Sequence, residues 1–453
     1  MQPKKTIFLL LPTGMTIRNL LSTTIVKDIL ENSQHQIICC VKNAEKYQSY
    51  FAHKRIKYIN FIEKQAFSFS NIILLILRMR FYAIKQNETL KILDDNPLSL
   101  SFKDKLVSYL KYPFPKNRRI YNFLSSIQGF VHFQRREIEL QFSKHKPDVV
   151  FSTHLVARDE YDYLMEAKRR KIPTIGMVKS FDNLTAKGFL PYKTDFVILW
   201  NNIMQEELIN IYKYDKKKIK VTGVPQFDIY KKKPNVSREF FFKQHNLSKN
   251  KKTILYATNH KNLGPDDREN VEYLSSKLRQ LNAQMIVRLH QMDTIDRYNN
   301  LVLDDVHFQV PGIVEGYGSN ERVAHKDFLE GLRDTIYFSD ITINTCSTMS
   351  LDAVAIDKPI INIAFDNSKK PYNKSVKRFY DFVHYQPIIL SRATSIARSK
   401  NELINLIELY IKNHNHKKSE REELRQVMLL GNQGNASEQV ARGVLEIMGR
   451  LFS

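Results

Sequence analysis

Four small polar residues between an apolar segment and a helical segment form the clearest chemical feature of the sequence. Residues 341–363 read as a strand, a short loop, a helix and a second strand. The loop Thr345-Cys346-Ser347-Thr348 opens the helix, where unpaired backbone N–H groups and the positive end of the helix dipole favour a phosphate. A structural Ser or Thr N-cap would give the same pattern. The spacing therefore predicts a phosphate-binding loop at Ser347 and Thr348, with the structural cap as the alternative.

Two further segments place basic or polar side chains at the ends of apolar runs. In the segment 285–290, Arg288 lies within the apolar run and His290 directly follows it. A guanidinium there can hold a phosphate through two parallel hydrogen bonds, and the imidazole can bind the same group or protonate a leaving oxygen. The alternative for Arg288 is a buried ion pair with a structural carboxylate. Asn259 and His260 end another apolar run, and are predicted either to face a ligand or to form a local turn.

The candidate catalytic bases lie in the first half of the chain. Asp182 belongs to the polar segment 180–188, which follows an apolar run and also contains Lys187 as a charge partner. A positioned carboxylate can deprotonate an acceptor hydroxyl, although a local Asx-turn would use the same residue type. His154 follows a different apolar run and is the alternative base, against the more common structural role of a lone histidine. The sequence leaves the choice between Asp182 and His154 open.

Composition disfavours several classes of protein. The sequence has no Walker-type loop and no G-x-G-x-x-G, and only 14 of its 453 residues are Gly, which argues against an ATPase or a nicotinamide-dependent enzyme. Acidic pairs such as Asp266-Asp267 lie in polar, turn-like surroundings, so we predict no metal site. The three cysteines lack zinc-ligand spacing and fit a reducing cytoplasm. No run approaches the roughly 18 apolar residues that a membrane-spanning helix needs.

The elements that must position these residues alternate between short apolar strands and amphipathic helices. Such alternation predicts parallel sheets covered on both faces, in which ligands bind beyond the carboxyl ends of the strands. A chain of 453 residues exceeds the usual size of one core, so we predict two Rossmann-like, doubly wound domains that face a cleft. We expect the first domain to span residues 1–230, a polar linker 231–251, and the second domain 252–453.

A basic and aromatic insertion is expected around residues 100–140. Counting residues 103–136 gives eight Lys or Arg, one acid and seven interleaved Tyr or Phe. This pattern suits an anionic membrane surface or a lipid-linked acceptor, and an ordinary helical insertion with a solvated basic face is the alternative. The formal net charge of +23 also favours an anionic partner. Nucleic acid ranks below the others because the sequence contains no nucleic-acid-binding module.

Taken in order, these segments resemble the GT-B glycosyltransferase superfamily, and most nearly the bacterial surface-carbohydrate transferases and the CDP-glycerol glycerophosphotransferase group. The likeness covers roughly residues 145–400, and it rests on SFDNLTAKG (180–188), TGVPQFD (222–228), YATNH (256–260), VRLHQ (287–291) and NTCSTMSLDAVAIDKPIIN (344–362). The resemblance implies an α/β fold of two Rossmann-like domains facing a central cleft. It places the acceptor on the first domain and the donor nucleotide on the second.

The resemblance also implies roles for individual residues. The donor's phosphates, ribose or sugar would be contacted by Asn259, His260, Arg288, His290, Ser347, Thr348 and Asp352. Asn344 stands where many relatives have Asp, and the His-Gly-Thr motif of the glycerophosphotransferases is missing from the first half. Both differences favour a sugar over glycerol phosphate as the transferred unit.

We therefore predict a metal-independent glycosyltransferase that needs no cofactor. Its co-substrate would be a nucleotide-sugar donor, its acceptor a surface polysaccharide or glycolipid, and its location the cytoplasm or the inner face of the cell membrane. An NDP-sugar 2-epimerase, a CDP-glycerol-type glycerophosphotransferase and a non-catalytic anion- or nucleic-acid-binding protein are the alternatives. An inverting reaction would need the base His154 or Asp182, a retaining one would not, and the sequence does not decide between them.

Overall fold

The computed structural model describes residues 4–63, 87–94, 135–156, 158–187, 190–259, 266–290, 293–311, 313–314, 322–323 and 328–452. The chain divides into two compact units, Met1–Gln226 with Asn435–Ser453, and Phe227–Gly434. Most of the predicted basic insertion around residues 100–140 lies outside the described residues.

The described part of the first unit is built on a seven-stranded parallel sheet. Its strands are β1 (Thr6–Leu11), β2 (Gln36–Val41), β3 (Ile56–Asn60), β4 (Val149–Ser152), β5 (Thr174–Met177), β6 (Phe196–Leu199) and β7 (Ile219–Val221). They are arranged in the order β3-β2-β1-β4-β5-β6-β7. Apolar runs such as TIFLLL in β1 are buried nearly throughout, as expected for strands covered on both faces. The order reverses between β1 and β4, the switch point at which such sheets bind ligands.

Helices cover this sheet and connect its strands. They are α1 (Gly14–Leu21), α2 (Ile25–Glu31), α3 (Ala44–Tyr50), α4 (Glu88–Asp94), α5 (Arg136–His145), α6 (Tyr161–Arg169), α7 (Asn183–Ala186) and α8 (Asn202–Tyr212), with a 3-10 turn at Lys216–Lys218. Side-chain caps explain where two of them begin. Thr13 forms a capping box at the start of α1, and the Asn201 side chain accepts the Met204 N–H at the start of α8.

The second unit contains a six-stranded parallel sheet among its described residues. Its strands are β8 (Lys252–Ala257), β9 (Ala283–Arg288), β10 (Val306–Gln309), β13 (Ile341–Asn344), β14 (Ile360–Ile363) and β15 (Ser395–Ala397), and a separate antiparallel pair is formed by β11 (Ile313–Val314) and β12 (Arg322–Val323). The strand order is β10-β9-β8-β13-β14-β15, so the switch point lies between β8 and β13. Ile254, Met285, Ile343 and Ile361 are fully buried in the core beside the sheet.

The helices of the second unit are α9 (Arg238–Gln244), α10 (Asp267–Leu278), α11 (Phe328–Phe338), α12 (Met349–Ala355), α13 (Gln386–Leu390), α14 (Lys400–Lys412) and α15 (Lys418–Leu429). Short 3-10 segments lie at Pro225–Lys231, Ile295–Tyr298, Tyr372–Lys374, Val376–Asp381 and Val383–Tyr385. The two doubly wound parallel sheets confirm the predicted fold class. Among the described residues, we find no helix whose length and apolar character would let it cross a membrane.

The final helix, α16 (Ala436–Phe452), departs from the predicted domain boundaries because it belongs to the first unit. Its apolar face, which includes the buried Val440 and Val444, packs against α2. An ion pair of 2.8 Å between Lys220 and Glu446 ties the same helix to β7. The predicted second domain, residues 252–453, therefore does not include its last helix. That helix belongs to the first unit because it buries its apolar face there.

The predicted linker, residues 231–251, is also ordered structure and belongs to the second unit. It contains α9, whose first turn is capped by the Ser237 side chain, which accepts the Phe240 N–H at 3.2 Å. Phe242 in α9 is fully buried, and Arg238 lies over its ring at 4.0 Å. This basic, proline-containing segment thus contains a short amphipathic helix, which its composition did not predict.

Candidate active site

Several of the predicted donor-binding residues lie at one edge of the second sheet. β9 ends at Arg288 and β13 ends at Asn344, and β8 lies between these two strands. The loops after β8 and β9 are bonded to each other, because the His290 N–H donates to Thr258 Oγ1 at 2.8 Å. The carboxyl ends of β9, β8 and β13 therefore bring His290 and the loop 345–348 to the side of the sheet where doubly wound folds bind nucleotides.

Arg288 is held at this edge by two uncharged neighbours. Its side chain is 8% exposed, and Nη1 donates to Gln309 Oε1 at 2.5 Å. The guanidinium carbon lies 5.3 Å from the ring centroid of Phe328. Gln309 is itself fixed, since its Nε2 donates to Thr335 Oγ1 at 2.9 Å. These contacts orient the guanidinium plane, and a planar guanidinium can hold an anion through two parallel hydrogen bonds.

The loop that carries His290 is fixed by a buried carboxylate that the sequence did not single out. Asp293 is fully buried and accepts hydrogen bonds from Tyr298 Oη at 2.9 Å, Thr258 Oγ1 at 3.2 Å and Arg297 Nη1 at 2.5 Å. The His290 side chain is half-buried beside this network. Asp293 therefore stabilises the two loops that approach the switch point from β8 and β9.

Asn259 takes part in the local turn that was the alternative to its ligand-binding role. Its N–H and its side-chain Nδ2 both donate to Asp267, at 2.7 and 3.0 Å, and the Tyr256 hydroxyl donates to the same carboxylate at 2.7 Å. Burial raises the pKa of Asp267 to about 6. The Asn259 amide thus anchors the start of α10, and its contact with a donor stays a prediction. His260 lies outside the described residues.

A buried polar network shapes the loop after β13. Asn344 Oδ1 accepts the Ser347 N–H at 3.2 Å and Asn362 Nδ2 at 3.0 Å. Ser350 Oγ lies 3.2 Å from Asn344 Oδ1 and 2.9 Å from the Tyr385 hydroxyl. The amide at position 344 thus serves as the organising acceptor for the loop. No sequence pattern predicts the contributions of Asn362 and Tyr385, which come from later strands and turns.

We expect Asn344→Ala to destabilise the second unit by roughly 1–3 kcal/mol, because the buried Asn362 amide and the Ser347 N–H would lose their acceptor. Chemical denaturation of the variant and the wild type would measure the difference in the free energy of unfolding. Thr348→Ala is the matched control, since the Thr348 side chain is exposed. Equal stability of the Asn344→Ala variant and this control would contradict the role of the network.

The loop itself presents Thr348 at the start of α12. Cys346 adopts a left-handed conformation, with φ of 46°, and its thiol donates to the Phe379 carbonyl at 3.1 Å. Ser347 Oγ accepts the Met349 N–H at 3.3 Å. Thr348 is exposed, and within the described part of the chain its N–H has no hydrogen-bond acceptor. This loop can therefore offer a hydroxyl and a backbone N–H to an anion.

Asp352, one turn into α12, is engaged inside the second unit. Its Oδ1 accepts a hydrogen bond of 2.6 Å from the hydroxyl of Tyr230, and its side chain is buried. This contact fastens the segment 225–231 to α12. The hydrogen bond to Tyr230 gives the Asp352 carboxylate a structural role in the packing of α12. Its contact with a donor ribose or sugar stays a prediction.

The two candidate bases of the first unit lie on neighbouring loops. His154 follows β4, Asp182 follows β5, and these two strands pair in parallel. The loop after β4 is held by Glu160, a fully buried carboxyl whose Oε2 accepts the Thr153 N–H at 3.1 Å. Burial raises the pKa of Glu160 to about 8. A half-buried lysine, Lys179, stands between β5 and Asp182, and burial lowers its pKa to about 8.

Asp182 differs from His154 in its capacity to act as a base. Its carboxylate makes no capping hydrogen bond to α7 and instead accepts Asn183 Nδ2 at 3.1 Å. Burial, with a further contribution from the charge of Lys179, lowers the pKa of His154 to about 3. An imidazole with such a pKa is neutral near pH 7 and accepts a proton weakly. The neighbouring loops thus hold a weakly basic imidazole and a half-buried carboxylate.

We expect His154→Asn to weaken the loss of stability in acid. The pKa of His154 falls from 6.5 to about 3 on folding, so between these values the unfolded chain binds a proton that the folded chain does not. Stability should therefore fall as the pH decreases below 6.5, by up to about 1.4 kcal/mol per pH unit. Urea unfolding at pH 7 and pH 5 would measure the effect, with the exposed His53→Asn as control. An unchanged pH dependence in His154→Asn would refute it.

Several polar groups of these loops were not found from the sequence. Glu160, Lys179 and Asp293 carry no motif, and their importance follows from burial beside loops that the strand ends did predict. Asp266 caps the start of α10, but the polar, turn-like surroundings predicted for the pair are wrong for Asp267, which is buried at 1% exposed. Among the residues that the structure describes, no cluster of three His, Cys, Asp or Glu side chains is arranged to hold a metal ion.

The chain matches one family across both units. The sequence profile of the family described as CDP-glycerol:poly(glycerophosphate) glycerophosphotransferase matches residues 177–446, which is more than half of the chain. The match begins just before Lys179 and Asp182, and it includes every predicted donor-binding residue. His154 lies outside it. No curated protein sequence matches the chain.

Solved structures with the same overall fold have low sequence identity to this chain. A putative UDP-N-acetylglucosamine 2-epimerase from Listeria monocytogenes has a TM-score of 0.58 at 10% identity, covering 99% of this chain and 98% of the other. MnaA from S. aureus, in a co-structure with UDP, has a TM-score of 0.55 at 11% identity, with coverages of 98% and 97%. A variant of the wall teichoic acid polymerase TagF has a TM-score of 0.51 at 14% identity, with coverages of 100% and 90%.

At these identities the structural likeness establishes the GT-B fold, and the family profile establishes the class of reaction. The matched range, residues 177–446, includes the whole second sheet and the loops that follow its strands. The chain belongs to the CDP-glycerol:poly(glycerophosphate) glycerophosphotransferase family and is a transferase of the GT-B type.

Proposed function

We propose that this transferase moves a sugar from a nucleotide-activated donor to a hydroxyl group of a surface polysaccharide or a lipid-linked acceptor. The assignment of the donor site rests on one observation. Arg288, His290 and the loop 345–348 lie at the same edge of the second sheet. The S. aureus MnaA structure, which has the same fold, contains UDP. A nucleotide diphosphate is the ligand that best fits this edge.

The donor site would work by stabilising the leaving group. As the bond to the transferred unit breaks, negative charge accumulates on the departing diphosphate. Arg288, His290 and the N–H of Thr348, which has no acceptor among the described residues, would be preorganised donors at the position where this charge develops. We propose that these groups supply the stabilisation without a metal ion or a cofactor.

The first unit would supply the base if the reaction inverts the configuration. Asp182 is the better of the two candidates, because the pKa of His154 is lowered to about 3 and its imidazole is a weak base. Asp182 would accept the acceptor's hydroxyl proton while the new bond forms. His154 would remain neutral beside it and accept hydrogen bonds from the acceptor.

Glycerol phosphate transfer is the second candidate, and the family match favours it. The two reactions break different bonds. Glycosyl transfer from an NDP-sugar breaks the bond between the sugar carbon and oxygen and releases the nucleoside diphosphate. Transfer from CDP-glycerol breaks a phosphoanhydride bond and releases CMP. Two features are the reason to place sugar transfer first: the His-Gly-Thr motif is missing from the first half, and Asn344 stands where many relatives have Asp.

A donor screen followed by product analysis would test the proposal. Thermal unfolding with UDP, GDP, CDP and CMP identifies the base, because a ligand that binds only the native state raises the melting temperature. Turnover of matching donors with saccharide and polyol-phosphate acceptors then shows which nucleotide is released. An acceptor-dependent release of nucleoside diphosphate from an NDP-sugar supports sugar transfer. Interconversion of nucleotide sugars without an acceptor would show an epimerase instead, and release of CMP from CDP-glycerol would select the second candidate.

We also propose that the enzyme works in the cytoplasm, at an anionic membrane surface. The three free cysteines suit a reducing compartment, and a formal net charge of +23 favours an anionic leaflet. Sedimentation with vesicles of anionic or neutral lipid would test the contact. Binding to random DNA that equals the binding to anionic vesicles would point to nonspecific attraction of any polyanion.

A further inference from the structure

A second carboxyl group points toward the Asp182 loop from α8. Glu207 is half-buried, whereas its neighbour Glu206 is exposed. Glu207 Oε2 is shielded from solvent and has no hydrogen-bond partner among the described residues. Burial, and then the negative charge of Asp182, raises the pKa of Glu207 to about 8. Near pH 7 this carboxyl is therefore mostly protonated and can donate a hydrogen bond.

The packing of α8 against α7 brings Glu207 and Asp182 to the same place. The Tyr212 hydroxyl, at the end of α8, donates to the Leu184 carbonyl in α7 at 2.8 Å. Asp182 immediately precedes α7. The two carboxyl groups thus approach one another from consecutive elements of the first unit.

Two more buried polar atoms around Asp182 have no partner within the described part of the chain. Asn183 is 2% exposed and donates Nδ2 to Asp182 at 3.1 Å, but its Oδ1 has no partner. His154 Nδ1 is likewise shielded and unpaired. A buried polar atom without a partner costs about 1–3 kcal/mol, so a concentration of three suggests a site that a polar ligand completes.

The types of these atoms define the ligand. Asn183 Oδ1 and the unprotonated nitrogen of a neutral His154 accept hydrogen bonds, and the protonated Glu207 can donate one. A phosphate has no donor to offer the two acceptors, whereas a sugar or polyol has several hydroxyl groups that both donate and accept. The pocket therefore suits a polyhydroxyl unit.

We propose that Asp182 and Glu207 form a carboxyl pair that receives the terminal polyhydroxyl unit of the acceptor. Glu207 donates its proton in a hydrogen bond to one hydroxyl, and Asn183 Oδ1 accepts a hydrogen bond from another. Asp182 removes the proton of the reacting hydroxyl as the new bond forms and the nucleotide departs, and it returns this proton to water after product release. The inference rests on the proposed function, because it takes Asp182 to be the base.

The charged groups around Glu207 determine how the pair responds to pH. Asp182 precedes α7 and Lys187 follows it, and Lys179 and His154 belong to the adjoining loops. Lys220 on β7, which also packs against α8, is paired with Glu446 at 2.8 Å. Ionisation of Glu207 above about pH 8 would remove its hydrogen bond and place a second negative charge beside Asp182. Acceptor binding should weaken over that range.

Substitutions at position 207 test this arrangement. Gln resembles the protonated carboxyl because it has one donor and one acceptor, and Ala has neither. We expect Glu207→Ala to raise the KM for the acceptor by roughly tenfold or more, the equivalent of one lost hydrogen bond, with little change in the KM for the donor. Glu207→Gln should stay within about threefold of the wild type at pH 7, since one hydrogen bond is retained. It should also keep its activity above pH 8, where the wild type declines. Glu206→Gln is the matched control.

Two results would overturn the inference. One is a Glu207→Gln variant as impaired as Glu207→Ala, and the other is an alkaline decline that is the same in Glu207→Gln and the wild type. Infrared spectroscopy provides a readout independent of turnover. The protonated carboxyl band at pH 7 should be weaker in a folded Glu207→Gln variant than in the wild type by the contribution of one group, because the buried Glu160 contributes to the same band in both proteins. Equal bands in the two proteins would also refute the pair. If the wild type transfers no unit from any donor, the proposed function fails, while this band still decides the state of Glu207.

Discussion

We expect the Arg288→Ala variant to lose transfer activity by roughly 100-fold or more, and to bind the donor nucleotide more weakly. Removal of one preorganised donor to developing negative charge typically costs about 10²–10³ in turnover. Arg288 is the charged member of the proposed donor site, and its uncharged neighbours Gln309 and Phe328 keep it in place. Steady-state kinetics and nucleotide titration would measure the two effects.

Two further variants distinguish the contribution of the Arg288 charge to catalysis from the contribution of its contacts with neighbouring side chains. Arg288→Lys keeps the charge but loses the planar fork, so it should recover part of the nucleotide affinity and little of the turnover. Gln309→Ala breaks the 2.5 Å hydrogen bond to Nη1 and keeps the guanidinium, so its loss should be much smaller than that of Arg288→Ala. A folded Arg288→Ala variant with turnover like that of the wild type would reject the donor-site assignment.

Asp182→Asn should abolish an inverting transfer while leaving donor binding nearly intact. A positioned general base contributes about 10²–10⁴ to the rate, and an amide cannot accept the proton. The substitution preserves the volume, and an acceptor oxygen for Asn183 Nδ2 remains at this position. Kinetics with a saturating donor, together with a direct measurement of nucleotide affinity, would show a fall in turnover without a matching fall in affinity.

Asp215→Asn is the matched control for this substitution. Asp215 is an exposed carboxylate that precedes β7, and it lies at the amino edge of the same sheet, whereas Asp182 follows the carboxyl end of β5. Its loss should leave turnover unchanged. If Asp182→Asn retains full turnover and His154→Asn does not, the base has been assigned to the wrong loop.

The positions of many strands, and the polar loops that follow them, could be predicted from local pattern alone. The limits of β1 and β13 agree with the apolar runs Thr6–Leu11 and Ile341–Asn344, because strands buried on both faces leave continuous apolar segments. Helix limits were less accurate. The apolar spacing over Arg18–Glu31 by itself predicts one helix. In the structure α1 ends at Leu21 and α2 starts at Ile25, since Ser22-Thr23-Thr24 forms a break that apolar spacing does not reveal.

Features that depend on contacts distant in sequence could not be predicted. The packing of α16 against α2 joins the two ends of the first unit, and a polar stretch between predicted domains gives no sign that α9 is buried. Dependence on distant contacts also limits the prediction of which residue can act as the catalytic base. The sequence leaves His154 open as an alternative base, and its burial beside Lys179 shows it to be the weaker one, because a pKa depends on neighbours that come from other loops. Glu207 carries no local signal for the same reason.

The most direct test of the account is a crystal structure of the protein with a bound nucleotide diphosphate, CDP or UDP, whichever stabilises it more. We predict that the diphosphate lies at the carboxyl edge of the second sheet, within hydrogen-bond distance of the Arg288 guanidinium and the Thr348 N–H. A nucleotide bound elsewhere on the protein, or one whose phosphates contact neither group, would contradict the central claim.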